Sequence, residues 1–324
     1  MTRLPLLSVL ALTALASQAQ APFQVVADLP LPGRTTRFDY QSLAGNRLYL
    51  DHMGDGHLVV FDLPARKVVA DLPGFPTCTG VLAVPELGRV FVSAAGAGEV
   101  VAVDMATLKV LARLPGGRFP DGLAYDAVHG RLFLSDEAGG TLRVFDARAL
   151  KPLGTVPLGG EAGNVRVDPV SGLALVCVQT RDEVALIDPL TLKVQRRFPV
   201  KAGSHPHGLW VDGARRRAYL ACQGTGRLLA LDLDSGQVVQ DFPVGEDPDV
   251  LAWDEGRGLL AVASESGTVA LFRREGRGLV PAGLQRVAPA AHSISVDPAT
   301  GFFYLPLKAF NGKPVLRILR AVPR

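Results

Sequence analysis

Apolar positions in this chain come in short runs that alternate with polar residues and are cut off by Gly, Asp, Asn or Pro. Residues 118–160 show the pattern. Gly122-Leu123-Ala124-Tyr125 predicts a first short strand, closed by Asp126 and a turn at His129-Gly130. Arg131-Leu132-Phe133-Leu134 predicts a second, turned by Glu137-Ala138-Gly139-Gly140. Thr141-Leu142-Arg143-Val144-Phe145 alternates as a half-buried strand should. Gly154-Thr155-Val156-Pro157-Leu158 gives a fourth, ending in Gly159-Gly160.

This unit recurs. Asp62, Asp104, Asp146, Asp188 and Asp232 each follow an apolar pair, at steps of 42, 42, 42 and 44 residues. A second ladder, Asp126, Asp168, Asp212, Asp254 and Asp297, keeps phase with it at steps of 42, 44, 42 and 43. An Asp at a strand end accepts a hydrogen bond from a backbone N–H two residues on and so defines a turn, which makes both ladders structural. Four short strands repeating at this period are the signature of propeller blades. The predicted fold is an all-β, seven-bladed β-propeller with four antiparallel strands per blade, forming one domain over residues 20–324. The blades span 38–74, 75–117, 118–160, 161–203, 204–246, 247–289 and a seventh from 290.

The seventh unit has three strands, around Ser293–Val296, Phe302–Leu305 and Val315–Leu319, with Asn311-Gly312 as a primed hairpin turn. Near the other terminus, Val25-Val26-Ala27-Asp28-Leu29-Pro30 repeats letter for letter the fourth strand of blade one, Val68-Val69-Ala70-Asp71-Leu72-Pro73. The N-terminal strand is therefore expected to complete the C-terminal blade, closing the ring and covering its edges.

Ahead of the repeats, Met1-Thr2-Arg3, an apolar run from Leu4 to Ala16 and the small-residue stretch Ser17-Gln18-Ala19 predict a signal peptide cleaved after Ala19. The expected location is periplasmic or secreted. No later segment is apolar enough to span a membrane. Without Arg3 the chain carries 33 basic and 31 acidic residues, and no basic stripe of the kind nucleic acid requires. Cys78, Cys177 and Cys222 are an odd number. The repeat puts Cys177 and Cys222 on adjacent sheets, about 10 Å apart and beyond disulfide reach, so no structural disulfide is expected. A monomer is expected.

Loops on one face of a propeller gather round its channel, and a rigid scaffold with convergent loops is where sites form. Aligned on the Asp126 ladder, the entries to the innermost strands are Asp39, Thr79, Asp121, Gly163, His207, Asp249 and His292. Five of these seven are Asp or His, in a protein with six histidines. Asp39, Asp121, His207, Asp249 and His292 are the candidate metal ligands, for Mg²⁺, Ca²⁺, Mn²⁺ or Zn²⁺ according to how many oxygens and nitrogens converge. Asn164, beside Gly163, and His205, next to His207, are candidate ligand-binding residues, as are His52 and His57 in the loop of blade one. The same polar entries would also suit the lining of a water-filled channel or the cap of a turn. Trp210 and Trp253 fit packing between sheets.

The unit Val103-Asp104-Met105-Ala106-Thr107-Leu108-Lys109-Val110, repeated as Ile187-Asp188-Pro189-Leu190-Thr191-Leu192-Lys193-Val194, resembles the YVTN-repeat (YncE-like) propellers of bacteria over nearly the whole mature chain. Where that family carries its Tyr-Val-Thr-Asn run, this chain has Tyr49-Leu50-Asp51-His52, Phe91-Val92-Ser93-Ala94 and Phe133-Leu134-Ser135-Asp136. The resemblance implies an extracytoplasmic binding or scaffold protein that presents a site for a small molecule, a polymer or a partner protein. The alternative is a metal-assisted lyase or lactone hydrolase, similar to the streptogramin lyases or gluconolactonases. On that reading His207 or His292 is the catalytic acid or base, and Asp39, Asp121 and Asp249 hold the metal. The sequence has no phosphate loop, nucleophile elbow, CxxC pair or haem motif.

Overall fold

The computed structural model describes residues 21–323, so the signal-peptide assignment falls outside the described residues. Among these residues the chain forms seven four-stranded antiparallel sheets. In six of them the strands lie in chain order from the channel outwards, as in blade three with Pro120–Asp126, Arg131–Asp136, Thr141–Asp146 and Lys151–Pro157. The protein is a seven-bladed β-propeller.

Both aspartate ladders act at turns. Asp104 accepts from the backbone N–H groups of Ala106 (3.1 Å) and Thr107 (2.7 Å), and Asp188 does the same for Leu190 and Thr191. Asp126 takes the N–H of Val128 at 2.9 Å, and Asp297 that of Ala299 at 2.9 Å. The second and third strands of each blade are nearly free of solvent, so the core is a wheel of Val, Leu, Ala and Phe packed between neighbouring sheets. Tyr219 of blade five stacks on Trp253 of blade six with ring centroids 5.7 Å apart.

Blade seven is made from both ends of the chain. Its order is Phe23–Pro30, Lys313–Ala321, Phe302–Phe310 and Ser295–Asp297 from rim to channel. Phe23 meets the edge of Phe303 at 5.4 Å, and Arg317 grips Asp28 with two hydrogen bonds of 2.7 Å. The inner hairpin is longer than its sequence pattern and turns at Asn311-Gly312, both with positive φ. The three cysteines are free and buried.

Candidate functional site

The innermost strands begin at the channel mouth, and most of them begin with a defect. Pairing between the first and second strands slips between Cys78 and Gly80, Pro120 and Leu123, Ala162 and Val165, Pro206 and Gly208, and Pro248 and Leu251. A β-bulge bends the strand and re-aims a side chain. The residues in these slips include Thr79, Asp121, Gly163, His207 and Asp249, so the bulges turn these five entry positions toward the axis; the strands that follow Asp39 and His292 pair without a slip. Glycine makes the crowding affordable: a Cβ on Gly80 or Gly208 would overlap the carbonyl oxygen of Asp121 or Asp249 in the next blade.

The five predicted ligands are all buried, each less than a tenth exposed. His207 Nε2 lies 3.3 Å from Asp249 Oδ1 and 3.9 Å from Asp121 Oδ2. His292 Nε2 lies 3.5 Å from Asp39 Oδ1. Asp39, Asp249 and His292 can each offer one atom such that all three lie within 4.8 Å of one another. His292 Nδ1 is 3.1 Å from the Ala290 carbonyl and 3.4 Å from Glu265 Oε2. Both are acceptors, so the proton belongs on Nδ1 and the Nε2 lone pair points into the cluster, which is how ligating histidines are usually held. Thr79 is absorbed by a hydrogen bond to the Pro120 carbonyl.

The electrostatics are lopsided. Burial, reinforced by neighbouring carboxylates, pushes Asp121 well above the usual carboxylate range, and burial also raises Asp249. For His292, burial works against the charged form, but the nearby carboxylates of Asp39 and Asp249 outweigh it and the pKa is raised. Asp121 Oδ2, Asn164 Oδ1, His207 Nδ1 and His292 Nε2 are buried with no hydrogen-bond partner. Buried polar atoms are normally paired. A divalent cation suits this donor set: carboxylate oxygens and an imidazole nitrogen would meet one positive charge, and the displaced carboxylate pKa values would fall.

Several residues enter the site that sequence reasoning did not select. The Tyr40 hydroxyl lies 3.1 Å from His207 Nε2 and 3.4 Å from Asp249 Oδ1, and accepts from Asn164 Nδ2 at 2.6 Å. Burial, then the charges of Asp249, Asp121 and Asp39, hold its pKa well above the usual phenol value. Arg37 sits 3.8 Å from Asp39 and pairs with Glu265. Asp51 is fully buried, and neither of its oxygens has a hydrogen-bond partner. No repeat signal marks Tyr40, because the position after the entry residue is Gly in three blades and Asn, Val or Ser in the others, so an aromatic there has no counterpart.

The other predicted histidines do not join the cluster. His52 stacks on Phe38 at 4.0 Å, is bonded to Thr36 Oγ1 at 2.9 Å, and packs the loop of blade one. His57 turns outward to Asp71 on the outermost strand, at 2.8 Å. His205 is exposed, because its positive φ directs it away from the strand that follows. The loop of blade one therefore contributes Asp51 to the cluster's surroundings in place of its imidazoles. Trp253 packs between sheets, and Trp210, partly buried against the same core, also lines the channel.

No known protein-family profile matches the chain, and no curated sequence does. Solved structures do. A chain of the mitotic checkpoint complex aligns with a TM-score of 0.77 at 12% identity, over 100% of this chain and 99% of that one. Virginiamycin B lyase from Staphylococcus aureus aligns with a TM-score of 0.76 at 11% identity, over 93% and 100%. Kuenenia stuttgartiensis hydrazine synthase gives 0.73 at 14%, over 90% and 96%. Likeness at this identity establishes the propeller fold and nothing about chemistry.

Proposed function

We propose that this chain is an extracytoplasmic binding propeller of the YVTN-repeat kind, and that its channel mouth holds a divalent cation as the anchor for a ligand. The observation that carries this reading is the convergence of Asp39, Asp249 and His292 on one buried point. The mixed oxygen and nitrogen set favours Mn²⁺ or Zn²⁺ over the all-oxygen preference of Mg²⁺ and Ca²⁺. Elemental analysis of protein dialysed against these ions tests it. About one ion per chain is expected, lost in Asp249→Asn and in His292→Ala; substoichiometric metal in the native protein would overturn the reading.

A second reading, a metal-assisted lyase or lactone hydrolase, is favoured by His207. Its Nε2 faces Tyr40 and Asp249, so it could take or return a proton beside a substrate oxygen polarised by the cation. The likeness to virginiamycin B lyase supplies a substrate to try. Turnover of virginiamycin B, or of a simple lactone, that requires added metal and is lost in His207→Ala would establish it. Absence of turnover with intact metal binding would leave the binding reading.

A further inference from the structure

The channel beneath the cluster is a second place where the chain is built for a ligand. A cavity of about 420 Å³ runs along the innermost strands of blades one to five. That lies within the about 300–1,000 Å³ of small-molecule sites. Tyr40 and Asn164 belong both to its wall and to the cluster, so its inner end abuts the Asp/His group. Tyr125, Val167 and Trp210 lie further along their strands, so the cavity extends toward the opposite face of the ring.

Arg166 decides what this cavity can hold. It stands two residues after Asn164 on the strand Ala162–Val167 and lines the same cavity. Its only hydrogen bond among the described residues goes to the neighbouring Val165 carbonyl, and its guanidinium lies 6.0 Å over the Trp210 ring. It makes no salt bridge among the described residues, and burial, its largest influence, lowers its pKa. A guanidinium stays charged in proteins and presents a planar fork that matches a carboxylate. Glu86, the one carboxylate on the cavity wall, is exposed and does not pair with it. The Asn164 Oδ1 is buried without a partner in the same wall, an acceptor waiting for a donor.

We propose that the central channel binds a small organic carboxylate, held by the Arg166 fork, with its apolar body against Trp210, Leu123 and Val167. A single guanidinium with no second cation on the wall fits a monoanion better than a phosphate ester. This inference does not rest on the cation, because none of the cluster's candidate ligands lines the cavity.

Calorimetric titration of the mature protein with acetate, benzoate, phenylacetate and indole-3-acetate, each beside its primary amide, provides the test. At least one aromatic acid should bind saturably at one site per chain, with its amide at least tenfold weaker. Arg166→Gln should weaken the acid at least tenfold while leaving the thermal midpoint near the native value. Arg166→Lys should restore part of the binding. The same titration in chelator-treated protein should give the same affinity, which separates this inference from the cation reading. Absence of saturable binding by all four acids, or equal affinity in Arg166→Gln, would overturn it.

Discussion

Asp51 carries a buried carboxyl that neither the backbone nor a side chain fully solvates. Burial is the main cause of its strongly raised pKa, and the charge of Asp39 adds to it. Blades two and three hold Ser93 and Ser135 at the equivalent strand position, and Ser93 donates to the Asp121 carbonyl at 2.6 Å. Asp51→Ser should therefore stabilise the protein. A carboxyl whose folded pKa lies above its unfolded value of about 3.9 costs nothing below that value, and its cost grows as pH rises toward the folded pKa. The thermal midpoint of the variant should match the native one near pH 4 and exceed it increasingly toward pH 7.5, by about 1–3 kcal/mol of stability. Equal midpoints across that range would show that Asp51 is compensated. His292 has the same sign: its raised pKa adds stability that is complete below about pH 6.5 and is lost as pH rises through the folded value.

At the level of strands, the bulges that open three innermost strands bring Asp121, His207 and Asp249 into the cluster, whereas Asp39 and His292 enter from just ahead of innermost strands that pair without a slip. Gly208→Ala tests this without altering any ligand, because the added methyl collides with the Asp249 carbonyl. Cation affinity, measured by titration, should fall by about tenfold or more even though Asp249 and His292 remain. The closing strand makes a separate contribution. Removing Asp28 leaves Arg317, less than a tenth exposed, without its bidentate partner. Breaking a buried pair costs about 3–5 kcal/mol, and partial exposure of Asp28 brings the expected loss for Asp28→Ala to about 2 kcal/mol. Urea denaturation would measure it; a loss under about 0.5 kcal/mol would mean that backbone pairing alone holds the seam.

For the ring as a binding unit, the balance at the channel mouth matters: there four buried carboxylates (Asp39, Asp51, Asp121 and Asp249) face the Arg37 guanidinium and the two imidazoles of His207 and His292. Such an imbalance is tolerated where a ligand repays it. A cation that binds only the folded ring adds about 2.7 kcal/mol at a hundred times its dissociation constant. Calorimetry with Mn²⁺ or Zn²⁺ should raise the melting temperature of the native protein and leave that of Asp249→Asn unmoved.

How far each of these features could be read from the chain depends on its range. The turn aspartates act two or three residues away, so a ladder of Asp62, Asp104, Asp146, Asp188 and Asp232 declares the blades locally. The duplicated Val25–Pro30 segment marks an outermost strand, and that strand sits at the rim of blade seven. The entry positions Asp39, Asp121, His207, Asp249 and His292 follow from repeat register, because symmetry brings equivalent residues to one axis. Register says nothing about rotamer or loop path. His205 lies two residues from an entry and His52 and His57 in a loop expected on the same face, yet each is captured by a nearby partner or left exposed.

What the amino-acid order determined by itself is periodic: blade number, strand spacing, turn chemistry and the positions at which each blade enters the channel. Tertiary structure decided what is not periodic. Tyr40, Asp51 and Arg166 break the repeat, and their partners lie in other blades or other strands, so their roles exist only once the ring has closed. The physical reason is that turns and strands are set by neighbours within a few residues, whereas burial, charge imbalance and cavity shape are sums over the whole circle.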